Sequence, residues 1–142
     1  MAQVLAGGCH CGALRLSLRS GMAPAQTAPR ACDCGFCRAH GAAWLSDADG
    51  ELWLQVADAG ALARYRQGSG SADFLLCRRC GVLVAVVFDD GDGMRAAVNV
   101  RCLERAGEFA EMQPVSPRQL PPEQRRDRWR RLWIPRVRIE GG

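Results

Sequence analysis

The sequence contains no lysine, and it lacks any uninterrupted apolar run near the roughly 18 residues of a membrane-spanning helix. All 19 of its cationic side chains other than histidine are arginines, which we attribute to a GC-rich genome rather than to function. The N-terminus shows no charged start followed by an apolar stretch, which is the pattern of a secretory signal. We therefore expect a chain that does not insert into a membrane and that lies in the cytoplasm.

No internal repeat is visible, and the length of 142 residues is typical of one domain. Hydrophobic residues make up 48% of the chain and charged residues 24%, so disorder is not expected. A proline-rich stretch predicts a boundary between a domain over residues 1–112 and a Pro/Arg-rich C-terminal extension over residues 113–142. Residues 118–138 hold eight arginines against two acidic residues, so the extension is basic and the rest of the chain is not.

Short strands dominate the pattern. Leu14, Leu16 and Leu18 alternate with polar residues, which is typical of a half-buried strand, and "VLVAVVF" at 82–88 predicts a fully buried one. The stretches "AAWLS" and "ELWLQV" flank "DADG" and predict two strands around a turn. The sequence therefore predicts a mostly-β fold, followed by a short helix over 123–133 with two tryptophans on one face.

Seven of the eight cysteines lie in three short motifs. The motifs are "GCHCG" with Cys9 and Cys11, "CDCGFC" with Cys32, Cys34 and Cys37, and "CRRCG" with Cys77 and Cys80. In a cytosolic chain, cysteines this close together are typical of metal binding or of thiol chemistry rather than of disulfides. No βαβ pattern surrounds them, which argues against a thioredoxin-like redox motif.

The two pairs, Cys9/Cys11 and Cys77/Cys80, supply the four thiolates of a tetrahedral zinc site; we call them the four-cysteine cluster. Such a site has a net charge of about −2 and leaves no position for a substrate. We therefore predict a structural zinc that clamps the N-terminal strand to the hairpin over residues 75–88. The remaining cysteine, Cys102, is interpreted as a buried and inert strand residue.

The triplet Cys32, Cys34 and Cys37, called the three-cysteine cluster, supplies three ligands and leaves one coordination position open, as in catalytic zinc sites. With a net charge of about −1, a zinc ion there is a weak Lewis acid that suits a thiolate substrate better than hydroxide. The alternative is a second structural site that a fourth protein ligand closes. Three candidates for that ligand stay open, namely His40, Cys102 and Asp33.

The ordered motifs G-x-C-x-C-G, C-x-C-x-x-C-R and C-x-x-C-G, with "ARYR" and a Gly/Ser loop before the last, resemble a known family over about residues 7–105. It is the glutathione-dependent formaldehyde-activating enzyme (GFA) family, also called the centromere protein V domain family. The resemblance implies an Mss4-like β-tent of short antiparallel strands stapled by zinc, and from the residues themselves we expect a short C-terminal tail that is helical or extended. It implies two zinc ions per chain, a structural one on Cys9, Cys11, Cys77 and Cys80 and a second one on Cys32, Cys34 and Cys37.

The activity that the resemblance implies is of the carbon–sulfur lyase type, the condensation of formaldehyde with glutathione to S-hydroxymethylglutathione. The thiolate of glutathione, the expected small-molecule partner, would occupy the open position, and Arg38 is either a carboxylate-binding residue or a solvated charge. The alternative function is a non-catalytic zinc module whose tail, "RRDRWRRLW" at 125–133, binds a protein or nucleic acid. We favour instead a helix that docks its tryptophans on the body or on a homodimer partner.

Overall fold

The computed structural model describes residues 2–141. These residues form two β-sheets and two α-helices. The strands are β1 Gln3–Gly8, β2 Leu14–Ser20, β3 Arg30–Cys32, β4 Trp44–Leu45, β5 Glu51–Val56, β6 Leu62–Tyr65, β7 Asp73–Cys77, β8 Leu83–Asp89, β9 Met94–Asn99, β10 Gln113–Val115 and β11 Arg136–Glu140. The helices are α1 Gly35–His40 and α2 Pro122–Leu132. The prediction of a mostly-β fold is confirmed. None of the described helices has the length and apolar character needed to cross a bilayer.

The smaller sheet has the strand order β1-β2-β5-β11. Its first three strands are antiparallel neighbours, whereas β11 runs parallel to β5. Leu14, Leu16 and Leu18 on β2 are all buried, as their alternation with polar residues predicted. Their side chains point toward the second sheet, where they form part of the main core.

The larger sheet has the strand order β10-β3-β4-β9-β8-β7-β6. Its strands are antiparallel neighbours except for β10, which is parallel to β3. The short strands are thus mostly antiparallel, as expected, and two pairings, β10 with β3 and β11 with β5, are parallel. Both parallel partners, β10 and β11, come from the C-terminal part of the chain and return to the body by long connections, which parallel pairing requires.

The larger sheet is covered on both faces. One face packs against the smaller sheet, and the other carries α1, α2 and a second apolar cluster that includes Trp44, Phe74 and Trp133. This arrangement explains the uninterrupted apolar sequence of β8, because Val84 faces the first cluster and Val86 the second. The second cluster is where the functional site lies.

The C-terminal segment is built into both sheets. β10 pairs with β3, β11 pairs with β5, and between them Ile134 forms two backbone hydrogen bonds with Ala96, of 2.9 and 3.1 Å. The side chain of Ile134 is fully buried in the main core. The domain boundary at residue 112 stays a prediction, but the chain beyond it contributes both strands and core.

We expect Ile134→Ala to lower the free energy of unfolding by about 3 kcal/mol, because it removes a fully buried side chain and leaves a cavity. Urea denaturation followed by circular dichroism measures this. The matched control is Val137→Ala on β11, which is half-buried and should cost about 1 kcal/mol. If both variants unfold with the same free energy as the unchanged protein, the C-terminal segment does not contribute to the stability of the domain.

Candidate metal sites and the adjoining cavity

Two turns bring the four-cysteine cluster together. Cys9 and Cys11 lie in the turn after β1, whereas Cys77 ends β7 and Cys80 lies in the turn that leads into β8. Gly81 closes the second turn with a positive φ of 82° and donates its N–H to the carbonyl of Cys77 at 2.8 Å. The four cysteines therefore lie where the end of β1 meets the β7–β8 connection, the two segments that the predicted structural zinc would clamp together.

The sulfur positions fit one tetrahedral ion. The Sγ atom of Cys11 lies 3.7 Å from that of Cys9 and 3.6 Å from that of Cys77, and all four sulfurs lie within 4.8 Å of one another. A zinc ion with Zn–S bonds of about 2.3 Å places its ligands about 3.8 Å apart. The spacing and the all-thiol donor set are therefore those of a closed metal site.

Backbone N–H groups support negative charge on these sulfurs. Arg79 and Cys80 donate their N–H groups to the Sγ of Cys77 at 3.4 Å, and Leu14 donates to the Sγ of Cys9 at 3.2 Å. Burial disfavours the Cys80 thiolate, but hydrogen bonds from backbone N–H groups outweigh burial and lower its pKa to about 6. The pKa of Cys77 is also lowered, so these two cysteines favour the thiolate, which is the form that binds metal. At Cys11, a backbone hydrogen bond from Ala13 lowers the pKa, but burial and the hydrogen bond with Cys77 outweigh it and raise the pKa to about 11.

The three-cysteine cluster forms where β3 leads into α1. Cys32 is the last residue of β3, Cys34 caps the N-terminus of α1, and Cys37 lies in its first turn. The Sγ of Cys34 accepts the N–H of Cys37 at 3.4 Å, and Cys37 is almost fully buried. Because the helix starts between the second and third cysteines, all three sulfurs lie within 4.8 Å of one another.

Two of these three thiols, Cys32 and Cys37, share one proton through a hydrogen bond. A hydrogen bond from Cys37 lowers the pKa of Cys32 to about 6, and the same hydrogen bond, with burial, raises the pKa of Cys37 well above its usual value. One thiolate is thus stabilised by its neighbouring thiol even without a cation. A metal ion would replace the shared proton and stabilise all three thiolates.

Two candidates for a fourth ligand are occupied elsewhere. The carboxylate of Asp33 accepts hydrogen bonds from the Ser116 hydroxyl at 2.5 Å and from the Arg118 Nε at 3.0 Å, which hold its pKa below the usual range. His40 is exposed, and its ring lies 4.6 Å from that of Phe36. Neither side chain belongs to the cluster.

The third candidate, Cys102, lies beside the other cluster. Cys102 ends the 3-10 turn Val100–Cys102 and is half-buried. The prediction that it lies in a buried strand was wrong, because β9 ends three residues earlier. Its thiol donates to the carbonyl of Leu83 at 3.2 Å, and burial raises its pKa to about 11. Across residues 2–141, no histidine, cysteine or carboxylate supplies a fourth ligand to the three-cysteine cluster.

A cavity of about 450 Å³ opens beside the three-cysteine cluster. The cluster forms one wall, and Trp44, Phe74 and Val86 of the larger sheet supply apolar surface. The opposite side is formed by α2 and by the segment that precedes it. The four-cysteine cluster does not line this cavity, so the two clusters differ in their access to it.

Sequence reasoning missed the polar residues of this cavity. Four arginines line it, and they are Arg30, Arg118, Arg125 and Arg128. Gln67 also lines it and places its Nε2 atom 3.8 Å from the Sγ of Cys34. Arg38, which the sequence suggested, is exposed and lies outside the lining. The available signal was the three-residue spacing of Arg125 and Arg128, which puts both on one face of a helix.

The helix α2 is docked on the body, as its tryptophan spacing predicted. Trp129 stacks on Trp133 with ring centroids 4.6 Å apart, and its ring meets that of Phe88 edge-on at 5.4 Å. Arg130 reaches the nearly buried carboxylate of Asp90 at 3.2 Å. These contacts fix the arginine-bearing face of the helix over the cavity.

The fold and its clusters thus define a mostly-β protein with two cysteine sites that could bind metal ions, one of them beside a cavity. The sequence model of the glutathione-dependent formaldehyde-activating enzymes matches residues 4–119. A crystal structure of a Rhodobacter sphaeroides protein is 30% identical, with a TM-score of 0.53, and the alignment covers 76% of this chain and 99% of that one. No curated protein matches at a significant level. The chain belongs to the GFA family.

Proposed function

We propose that this protein is a zinc-binding enzyme of the carbon–sulfur lyase type that acts on an adduct of a thiol and an aldehyde, such as S-hydroxymethylglutathione. The observation that supports this most is the three-cysteine cluster, which has no fourth ligand within the described residues and faces a cavity. Family membership supports the type of reaction, since the family model is described by an enzyme that activates formaldehyde with glutathione.

Zinc is the proposed metal, with two ions per chain. Both donor sets consist only of thiolates, which favour zinc over hard cations such as magnesium or calcium. The four-cysteine cluster would hold a structural ion, and Cys32, Cys34 and Cys37 would hold the second one. When bound, a zinc ion in the second site would offer a coordination position for a sulfur atom and lower the pKa of a substrate thiol.

The residues of the cavity would act by enclosure and by positioning. In the condensation direction a bond forms between the substrate sulfur and the aldehyde carbon, and the thiol proton ends on the aldehyde oxygen. No histidine or carboxylate lines the cavity among the residues that the structure describes, so the chain supplies no evident general acid or base there. The rate gain would come from holding a thiolate next to the aldehyde in a confined space.

Exchange spectroscopy by NMR tests this proposal. With formaldehyde and glutathione in equilibrium, we expect the zinc-loaded protein to accelerate exchange between hydrated formaldehyde and S-hydroxymethylglutathione above the rate in buffer. The control is zinc chloride at the same metal concentration, which should not reproduce the effect. Unchanged exchange in the presence of protein would reject this substrate pair and leave family membership intact.

The alternative, a zinc module whose Arg/Trp-rich tail binds nucleic acid or protein, has less support. The two tryptophans that would stack on bases pack against each other and against Phe88. Two arginines of the tail, Arg125 and Arg128, face the cavity rather than a continuous outer surface. A cytoplasmic location and a homodimer stay predictions.

A further inference from the structure

Arginines concentrate around the cavity from two sides. Arg30 begins β3, the strand that ends at the three-cysteine cluster, whereas Arg125 and Arg128 lie one turn apart on α2. All three side chains are half-buried rather than extended into solvent. An enclosed position strengthens their electrostatic interaction with any group that enters the cavity.

The positive charge of these arginines is not balanced by the protein. Arg118 is paired with Asp33 at 3.0 Å, but Arg30, Arg125 and Arg128 form no ion pair within residues 2–141. The Nε atom of Arg125 is buried without a hydrogen-bond partner there. A buried donor without a partner in the protein is costly, and an anionic group in the cavity would satisfy this one.

Apart from the three cysteines, the cavity has no acidic side chain in its described lining. None of the described lining residues is an aspartate or a glutamate, so an ammonium group inside would face arginines and find no carboxylate. Glutathione carries two carboxylates but also an ammonium group on its glutamyl end. A thiol with two carboxylates and no ammonium group would match the charge of the cavity better.

We propose that the cavity selects thiols that carry at least two negative charges and no ammonium group, and that Arg125 and Arg128 determine this specificity. The inference rests on the proposed thiol–aldehyde function, and it ranks purely anionic thiols above glutathione, which stays a weaker ligand of the same site. Both arginines lie beyond residue 119, where the match to the family model ends. The selectivity is therefore assigned to a helix of this chain outside the matched region.

Calorimetric titration of the zinc-loaded protein tests the selectivity with four compounds. Mercaptosuccinate has a thiol and two carboxylates, succinate has only the carboxylates, 2-mercaptoethanol has only the thiol, and glutathione adds an ammonium group. We expect mercaptosuccinate to bind at least about tenfold more tightly than succinate or glutathione and about a hundredfold more tightly than 2-mercaptoethanol, which lacks both carboxylates, since one charged hydrogen bond is worth at least about a factor of ten. Metal content is measured after each titration to exclude loss of zinc to the ligand.

Substitutions in α2 test whether Arg125 and Arg128 cause the selectivity for mercaptosuccinate. Arg125→Gln and Arg128→Gln should each weaken mercaptosuccinate binding by about tenfold and leave 2-mercaptoethanol binding unchanged. Arg131→Gln is the matched control, because it removes the same charge from the same helix at an exposed position outside the cavity lining. Equal weakening by all three variants would mean that only the overall charge matters, and would overturn the assignment.

The outcomes separate this inference from the proposed function. If all three thiols bind equally well and more tightly than succinate, the thiol function stands and the charge selectivity is wrong. If succinate binds as tightly as mercaptosuccinate and both depend on Arg125, the anion site stands and the thiol function is wrong. Glutathione binding as tight as that of mercaptosuccinate, or no binding of mercaptosuccinate, overturns the selectivity.

Discussion

The Cys77→Ser variant should be largely unfolded at room temperature and should retain at most one of about two zinc ions per chain. Cys77 is almost fully buried, its Sγ lies 3.6 Å from that of Cys11, and it accepts N–H groups from Arg79 and Cys80. A structural zinc site contributes about 10–16 kcal/mol in small peptides, which is as large as the whole stability of a typical domain, about 5–15 kcal/mol. Circular dichroism and metal analysis of the purified protein measure both effects.

The control for this variant is Cys102→Ser. Cys102 is the cysteine outside both clusters, and a serine hydroxyl can keep its hydrogen bond to the carbonyl of Leu83. This variant should fold and retain both ions. If the two variants have the same circular dichroism spectrum and the same zinc content, Cys77 holds no structural ion.

The four-cysteine cluster was predictable because ligand counting is independent of the fold. Two C-x-x-C or C-x-C pairs and one triplet can be combined in few ways, and the structure brings Cys9 and Cys11 to Cys77 and Cys80 as that counting predicted. The β8 strand and the helix α2 were predictable for a local reason. Each is indicated by a pattern within one short segment. In β8 the pattern is an apolar run, and in α2 it is a pair of tryptophans four residues apart.

Long-range pairings left no such signal. The stretches "AAWLS" and "ELWLQV" do form strands around "DADG", but β4 belongs to the larger sheet and β5 to the smaller one. β5 instead pairs in parallel with β11, about 85 residues later in the chain. Which strands become neighbours depends on how the two sheets bury their apolar faces together, and that is a property of the whole chain.

The cavity was unpredictable for the same reason. Arg30 and Arg128 are almost a hundred positions apart in the sequence, yet they lie close together in the structure. Burial lowers the pKa of Arg30, and the nearby charge of Arg128 lowers it further. The basic run at 125–133 was visible in the sequence, but the direction in which its arginines point depends on the packing of Trp129 on Phe88. Tertiary contacts thus decide whether basic residues face solvent or a site.

The Cys34→Ser variant should keep the fold, lose the second zinc ion and reduce the proposed exchange activity to the rate in buffer. Cys34 caps α1 through its Sγ, and serine is among the best residues at that position, so the helix should persist. Only two cysteines would remain beside the cavity, too few to hold a tetrahedral ion with one position left for substrate. Metal analysis, circular dichroism and NMR exchange on one preparation measure all three outcomes.

Arg38→Gln serves as the control for Cys34→Ser, because Arg38 follows the cluster directly in sequence but is exposed and does not line the cavity. It should retain two ions and full activity. The contrast between the two cysteine variants distinguishes the two clusters. Cys77→Ser should lose structure together with metal, whereas Cys34→Ser should lose metal and activity but keep its structure. If Cys34→Ser unfolds as completely as Cys77→Ser, the three-cysteine cluster is a second structural site. Activity without its metal would place the chemistry elsewhere in the cavity.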